Sequence, residues 1–241
     1  MAIQVRDSTE FQRLLHAIAL ELVDANIAFR MHGDLIAAYE SGSGEAMRQA
    51  WTFWSLTIQG HLDSAVFRLC RIYDQDDKNL GLRGILHTIK SNQHLFSKEQ
   101  FAARIQGRQH ADSLIADFAP LDVQEIDADM AYATRASNPV VDRLIAVRHN
   151  YYSHRNASDV VADRAVSEAY PHMRHEVGDL LQGGIAIVNR YGMLFDANTW
   201  STYIIGRDDY HYVLRAAQER LDRHRSERDA SFAAAPPHST R

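Results

Sequence analysis

The sequence predicts an all-α protein, a single helical bundle of about six or seven helices. Three observations point there. Glycine (12) and proline (5) are sparse for a chain of 241 residues, which disfavours a turn-rich sheet protein. Apolar residues recur at steps of three and four along several long stretches. No alternating strand pattern of useful length occurs, Tyr203-Ile204-Ile205 being the one weak hint. Hydrophobic residues make up 46%, ample for one packed core. With no internal repeat, residues 1–228 read as one domain. Residues 229–241, polar and then Ala/Pro-rich, read as a disordered tail.

The first helix is expected from about Ser8 to Glu40. Asp7 with Glu10 is a capping-box variant, and Phe11, Leu14, Leu15, Ile18 and Leu22 form one buried face. Ser41-Gly42-Ser43-Gly44 breaks it. A central helix over about Glu45–Tyr73 carries the cleanest stripe: Trp51, Trp54, Ile58, Leu62, Ala65, Leu69, Ile72. Core packing accounts for this aromatic stripe better than a cofactor box does.

A charged loop, Asp74 to Asn79, leads to a third helix over about Leu80–Phe96. A fourth starts at Ser97, with Gln100 as its capping partner. Residues 118–136 are weakly patterned, with a loop and a short helix expected. Asn138-Pro139 are N-cap and N1 of the next helix, which runs to about His154 or Asn156. After a connection over 156–168, Pro171 opens another helix with Met173, Val177, Leu180 and Val188 on one side. Gly183-Gly184 inside it costs helix propensity and suggests close approach of a neighbouring backbone. The last helix covers about Asp208–Arg225, with Tyr210, Leu214, Ala217 and Leu221 facing in.

Composition excludes several classes. No apolar run approaches the roughly 20 residues that cross a bilayer, so no membrane partner is expected. Met1 to Glu10 carries no signal-peptide pattern. One cysteine, Cys70, rules out an intrachain disulfide. Together these favour a cytoplasmic protein. A net charge of −5 argues against sequence-blind polyanion binding but leaves room for a local basic cleft.

The densest basic and imidazole cluster outside the C-terminal tail is Arg143, Arg148, His149, His154 and Arg155. Arg143 and Arg155 read as solvated helix residues. The stripe Val140, Leu144, Val147, Tyr151 reaches His154 as its next position, with Arg148 beside it. Either a satisfied core histidine caps the stripe, or the helix delivers an imidazole and a guanidinium to a seam that does chemistry. Along a straight helix Arg148 and His154 stand about 9 Å apart. That is too far for one tight dyad unless the arginine reaches down or the helix end distorts. A two-fold dimer crossing at this helix removes the difficulty, because each site can then draw on both chains. Asn150, one turn before His154, can orient the imidazole or a phosphate.

Other candidates are weaker. His172 and His175 lack the further ligands that a metal site needs, and His211 stands alone, so no metal or cofactor is expected. Arg71 and Asp74, at i, i+3, suggest a helix-end ion pair, or else props for the motif helix. Gly81-Leu82-Arg83-Gly84 lacks the Lys-Ser/Thr ending of a phosphate loop. No nucleophile elbow, Walker sequence or dinucleotide fingerprint is present.

The segment Val147-Arg148-His149-Asn150-Tyr151-Tyr152-Ser153-His154-Arg155 resembles the Arg-x(4–6)-His signature of HEPN domains. Upstream, Leu62 through Arg68-Leu69-Cys70-Arg71-Ile72-Tyr73-Asp74 to Leu80-Gly81-Leu82 resembles the AbiU-type branch of abortive-infection proteins. The likeness covers roughly residues 10–220. It implies a HEPN-like helical bundle, homodimerisation through the motif helices, and often metal-independent RNA cleavage in antiphage or toxin–antitoxin systems. Carried onto this chain, His154 is the general acid/base and Arg148 stabilises phosphate charge. In many HEPN domains a polar residue directly follows the arginine. Here His149 holds that place and Asn150 comes one later, so the third role stays open between them. His149, Tyr151 and Arg155 are the expected substrate-contacting residues. The expected partners are a second copy of the chain, RNA, and a cognate antitoxin or partner protein. Two rivals remain: a non-catalytic dimeric HEPN-like module that binds a partner protein or nucleotide, and a purely structural helical protein with His154 buried and uncharged.

Overall fold

The computed structural model describes residues 1–153, 161, 173–203, 205–206 and 208–233. The chain is all-α, and no strand occurs among the described residues, Tyr203 and Ile205 included. Its contacts divide it into two compact units. One comprises Met1–Phe29 and Asp63–Thr202, the other Arg30–Leu62 and Tyr203–Arg241. The helices among the described residues are more numerous than the six or seven expected, because short loop-embedded helices escape periodicity.

α1 (Ser8–Ala38) starts as its sequence signals. Asp7 Oδ1 accepts the Glu10 N–H at 2.9 Å, and the Glu10 carboxylate turns back to accept the Arg6 N–H at 2.8 Å. A π turn over Tyr39–Ser43 follows, in which Gly42 takes φ +123°, a conformation that glycine adopts without steric cost.

The long second helix is interrupted. α2 (Gly44–Arg48) and α3 (Trp51–Ile72) are separate, with a turn between. From Trp54 onward the stripe is buried or half-buried, Ala65, Leu69 and Ile72 completely. Trp51 departs from it: the interruption places it at the head of α3, 50% exposed, its ring 5.5 Å from that of Tyr39.

α4 (Leu82–Ser91) is shorter than expected, and a 3-10 turn continues over Gln93–Phe96. α5 (Lys98–Ile105) is capped by Ser97, whose Oγ accepts the Gln100 N–H at 3.3 Å. α6 (Ala111–Ala116) precedes the weakly patterned region, and α7 (Val123–Ala133), capped by Asp122, is the short helix within it. α8 (Pro139–Val147) is the motif helix, α9 (Met173–Asp196) the long helix beyond it, and α10 (Tyr210–Ala233) the last. α10 extends past Arg225 and carries the chain in helix into the segment expected as a disordered tail.

In the larger unit, an aromatic cluster joins α1 to the end of α9. Phe11 lies 4.9 Å from Phe195 and 5.4 Å from Phe96, and Phe96 lies 6.5 Å from Tyr191. The smaller unit has its own core of Leu35, Ala38, Met47, Trp54 and Leu214.

Gly183 and Gly184 in α9 admit side chains where the sequence suggested a neighbouring backbone. A Cβ at 183 would collide with the Tyr132 ring and hydroxyl, and one at 184 would stand 2.7 Å from Leu22 Cδ2. The space lets two tyrosines reach α9. Tyr73 donates to the Leu180 carbonyl at 2.7 Å and Tyr132 to that of Asp179 at 3.0 Å.

Candidate functional site

The site is built on α8. Asn138 Oδ1 accepts the Val140 N–H at 3.0 Å, and Pro139 occupies N1, where its missing N–H costs nothing. Val141, Leu144 and Val147 are buried, with Val140 half-buried beside them. The helix is braced on two sides. Arg135 of the preceding loop pairs with Asp142 at 2.6 Å, and Arg143 with Glu176 of α9 at 2.6 Å. Arg143 is therefore more than the solvated residue expected: Glu176 and α8 hold each other through it.

At Arg148 the helix changes character. Arg148–Ser153 is a π segment, in which the acceptor of a backbone N–H moves from residue i−4 to residue i−5. Such segments occur mostly as single-turn bulges, frequently at functional sites.

Arg148 is half-exposed, its side chain 43% accessible, and its Nη1 lies 3.4 Å from Asp74 Oδ2. Asp74, 13% exposed, sits just beyond α3 at the head of the acidic loop. Its Oδ1 accepts the Asp76 N–H and its Oδ2 the Asn79 amide, each at 3.0 Å. Burial alone would raise this carboxyl. The Asp76 N–H, the Asn79 amide and Arg148 together outweigh it and hold the group below the usual carboxylate value. The loop is tied in turn to the end of α7, since Gln75 Nε2 donates to Tyr73 O at 2.8 Å and Ala133 O at 3.0 Å.

The helix-end pair expected between Arg71 and Asp74 does not form. Glu21 of α1 takes Arg71 (Nε to Oε1, 2.8 Å) and also Arg68 (2.8 Å), which frees Asp74 to face the motif helix. The alternative reading, Asp74 as a prop for that helix, is the one the geometry gives. Cys70, one turn earlier on α3, is buried. Burial pushes its thiol up to about 12, with Arg148 opposing and Asp74 adding to the shift.

Of the other expected site residues, His149 is exposed and Asn150 half-buried, both in the π segment and both engaged in further interactions. Tyr151 belongs to the same segment. His154, Arg155 and His172 lie outside the described residues. His175 pairs with Asp179 at 3.5 Å on an exposed face of α9, and His211 stacks on Tyr210 at 4.2 Å. Among the described residues no group of three or more His, Cys, Asp or Glu stands where it could hold a metal ion. No described helix is long and apolar enough to cross a membrane.

The chain is an all-α domain with a half-exposed arginine held by a carboxylate at an α-to-π switch. The family model for HEPN AbiU2 matches residues 8–216, and the chain belongs to this family. No curated protein and no solved structure matches it.

Proposed function

We propose that this chain is an endoribonuclease of the HEPN type, needing no metal and acting in antiphage defence or a toxin–antitoxin system. The observation that carries this is Arg148, held by Asp74 and open to solvent where the motif helix switches to π. His154 takes the proton from a ribose 2′-OH, whose oxygen attacks the adjacent phosphorus as the bond to the 5′-oxygen breaks. The leaving 5′-oxygen takes up a proton from the imidazolium so formed, giving a 2′,3′-cyclic phosphate and a free 5′-OH and restoring the neutral histidine. Histidine suits the transfer because it titrates near neutrality. The Arg148 fork binds phosphate oxygens and stabilises the charge that builds on them. Asn150 orients the imidazole or the phosphate. His149, Tyr151 and Arg155 contact RNA, and two copies pair through their motif helices.

The test is cleavage of an RNA panel by purified wild type, Arg148→Ala and His154→Ala, with product ends identified and mass measured by light scattering. Wild type is expected to leave cyclic-phosphate ends, and both variants to lose activity as intact dimers. Undiminished cleavage by both variants overturns the assignment. Expression should slow host growth with wild type and not with His154→Ala.

A second reading is favoured by one observation: the Arg148 charge is already met by a carboxylate of its own chain. On that reading the domain is a non-catalytic dimeric module for a partner protein or nucleotide. It predicts no cleavage and tolerance of conservative changes at His154.

A further inference from the structure

Away from the motif helix, the larger unit contains a cleft of about 420 Å³ between the first turns of α1 and the residues that follow α9. This size is in the range of small-molecule sites. Its chemistry is mixed: Gln12, Arg13 and His16 come from α1, and Asp196, Asn198 and Trp200 from the other side.

The second wall is held rigidly. Trp200 is clamped through both backbone groups by Asn189, whose Oδ1 accepts the Trp200 N–H at 2.7 Å while its Nδ2 donates to the carbonyl at 3.1 Å. Gly192 makes room for the indole, since a Cβ there would stand 2.6 Å from Cζ3. The ring remains half-buried, 6.3 Å from that of His16. Ala197, between Asp196 and Asn198, takes φ +55°, uncommon for a residue with a side chain and the kind of strain that clusters at ligand sites.

Asp196 is 3% exposed. Its Oδ2 receives Gln12 Nε2 at 2.9 Å and Asn198 Nδ2 at 2.8 Å, with Arg108 Nη2 at 4.0 Å. Among the described residues these donors all fall on Oδ2, leaving Oδ1 for a ligand donor. The cleft thus offers an aromatic face, a carboxylate oxygen without a protein donor among the described residues, and two exposed basic side chains, Arg13 and His16.

We propose that this cleft binds a purine nucleotide, free or as an unstacked residue of single-stranded RNA. The base stacks on Trp200, its exocyclic amine donates to Asp196 Oδ1, and the phosphate is met by Arg13 and His16. This site is separate from the Arg148 site and stands whether or not the chain cleaves RNA.

Calorimetric titration of the full chain with GMP, IMP and a short single-stranded RNA tests it, using Arg148→Ala protein so that no substrate is consumed. GMP should bind about tenfold tighter than IMP, which lacks the amine. Trp200→Leu and the surface change Arg13→Glu should each weaken binding about tenfold or more, with circular dichroism unchanged for Arg13→Glu. Binding of GMP identifies a free nucleotide as a sufficient ligand. Binding of the oligomer alone identifies RNA as the source. No binding of either overturns the proposal, as does affinity untouched by Arg13→Glu and Trp200→Leu. Equal affinity for GMP and IMP overturns the contact with Asp196.

Discussion

Replacing Asp74 separates the reading of that residue as a prop from a reading of it as loop decoration. Its carboxylate accepts two hydrogen bonds at 3.0 Å and faces Arg148 at 3.4 Å. Asp76 and Asn79 are exposed, so their donors can turn to water when the carboxylate is removed, and each bond is worth about 1 kcal/mol. The half-exposed pair with Arg148 adds about 0.5 kcal/mol. Asp74→Ala should therefore cost about 2–3 kcal/mol, and Asp74→Asn, which keeps an acceptor, about 1 kcal/mol. The folded carboxyl titrates below its ordinary value. Its contribution is then fully present above the unfolded value of about 3.9 and is lost as pH falls through the lower folded value. Urea denaturation at pH 7, 5 and 3.5 should show a constant gap between wild type and Asp74→Asn at the first two and a smaller one at the third. On the proposed ribonuclease reading, cleavage by Asp74→Asn should fall without vanishing, because Arg148 is retained but less well held. Wild-type stability for Asp74→Asn at pH 7, or a gap that widens toward pH 3.5, would refute the reasoning.

Three further outcomes follow from the packing behind the site. Gly183→Ala should destabilise by about 1–3 kcal/mol as Tyr132 is forced out, whereas an unobstructed helical glycine would gain about 1 kcal/mol; thermal denaturation gives the sign. Tyr73→Phe should cost about 1–2 kcal/mol in urea denaturation, because the buried Leu180 carbonyl loses its 2.7 Å donor. Cys70, buried and with its thiol pushed up to about 12, should resist iodoacetamide at pH 8 and react only on unfolding; native labelling at the rate of a free thiol would contradict its burial.

What the sequence revealed about this fold is local in origin. Asn138-Pro139, Ser97 with Gln100, and Asp7 with Glu10 act within one turn, and all three mark helix starts in the structure. The stripe from Trp54 to Ile72 was legible for the same reason: spacing along one helix decides which residues share a face. What was not legible depends on which helices abut. The i, i+3 rule directs Arg71 to Asp74, yet Glu21 lies closer in space from 50 residues away, and no periodicity reports that. Relieved of Arg71, Asp74 meets Arg148 from 74 residues upstream. The π switch is likewise invisible to a 3.6-residue pattern, because the stripe that reveals α8 continues in sequence through Tyr151 as if the helix stayed α past Val147. A stripe can show where a helix is buried. Arg148 lies outside the stripe, at the start of a π segment, where a carboxylate beyond the end of another helix meets its guanidinium and leaves it half in water. A reading from sequence could single out Arg148 and place it at the end of the apolar stripe. Only the tertiary contacts say that it is held and still reachable, which is the condition an anion-stabilising group has to meet.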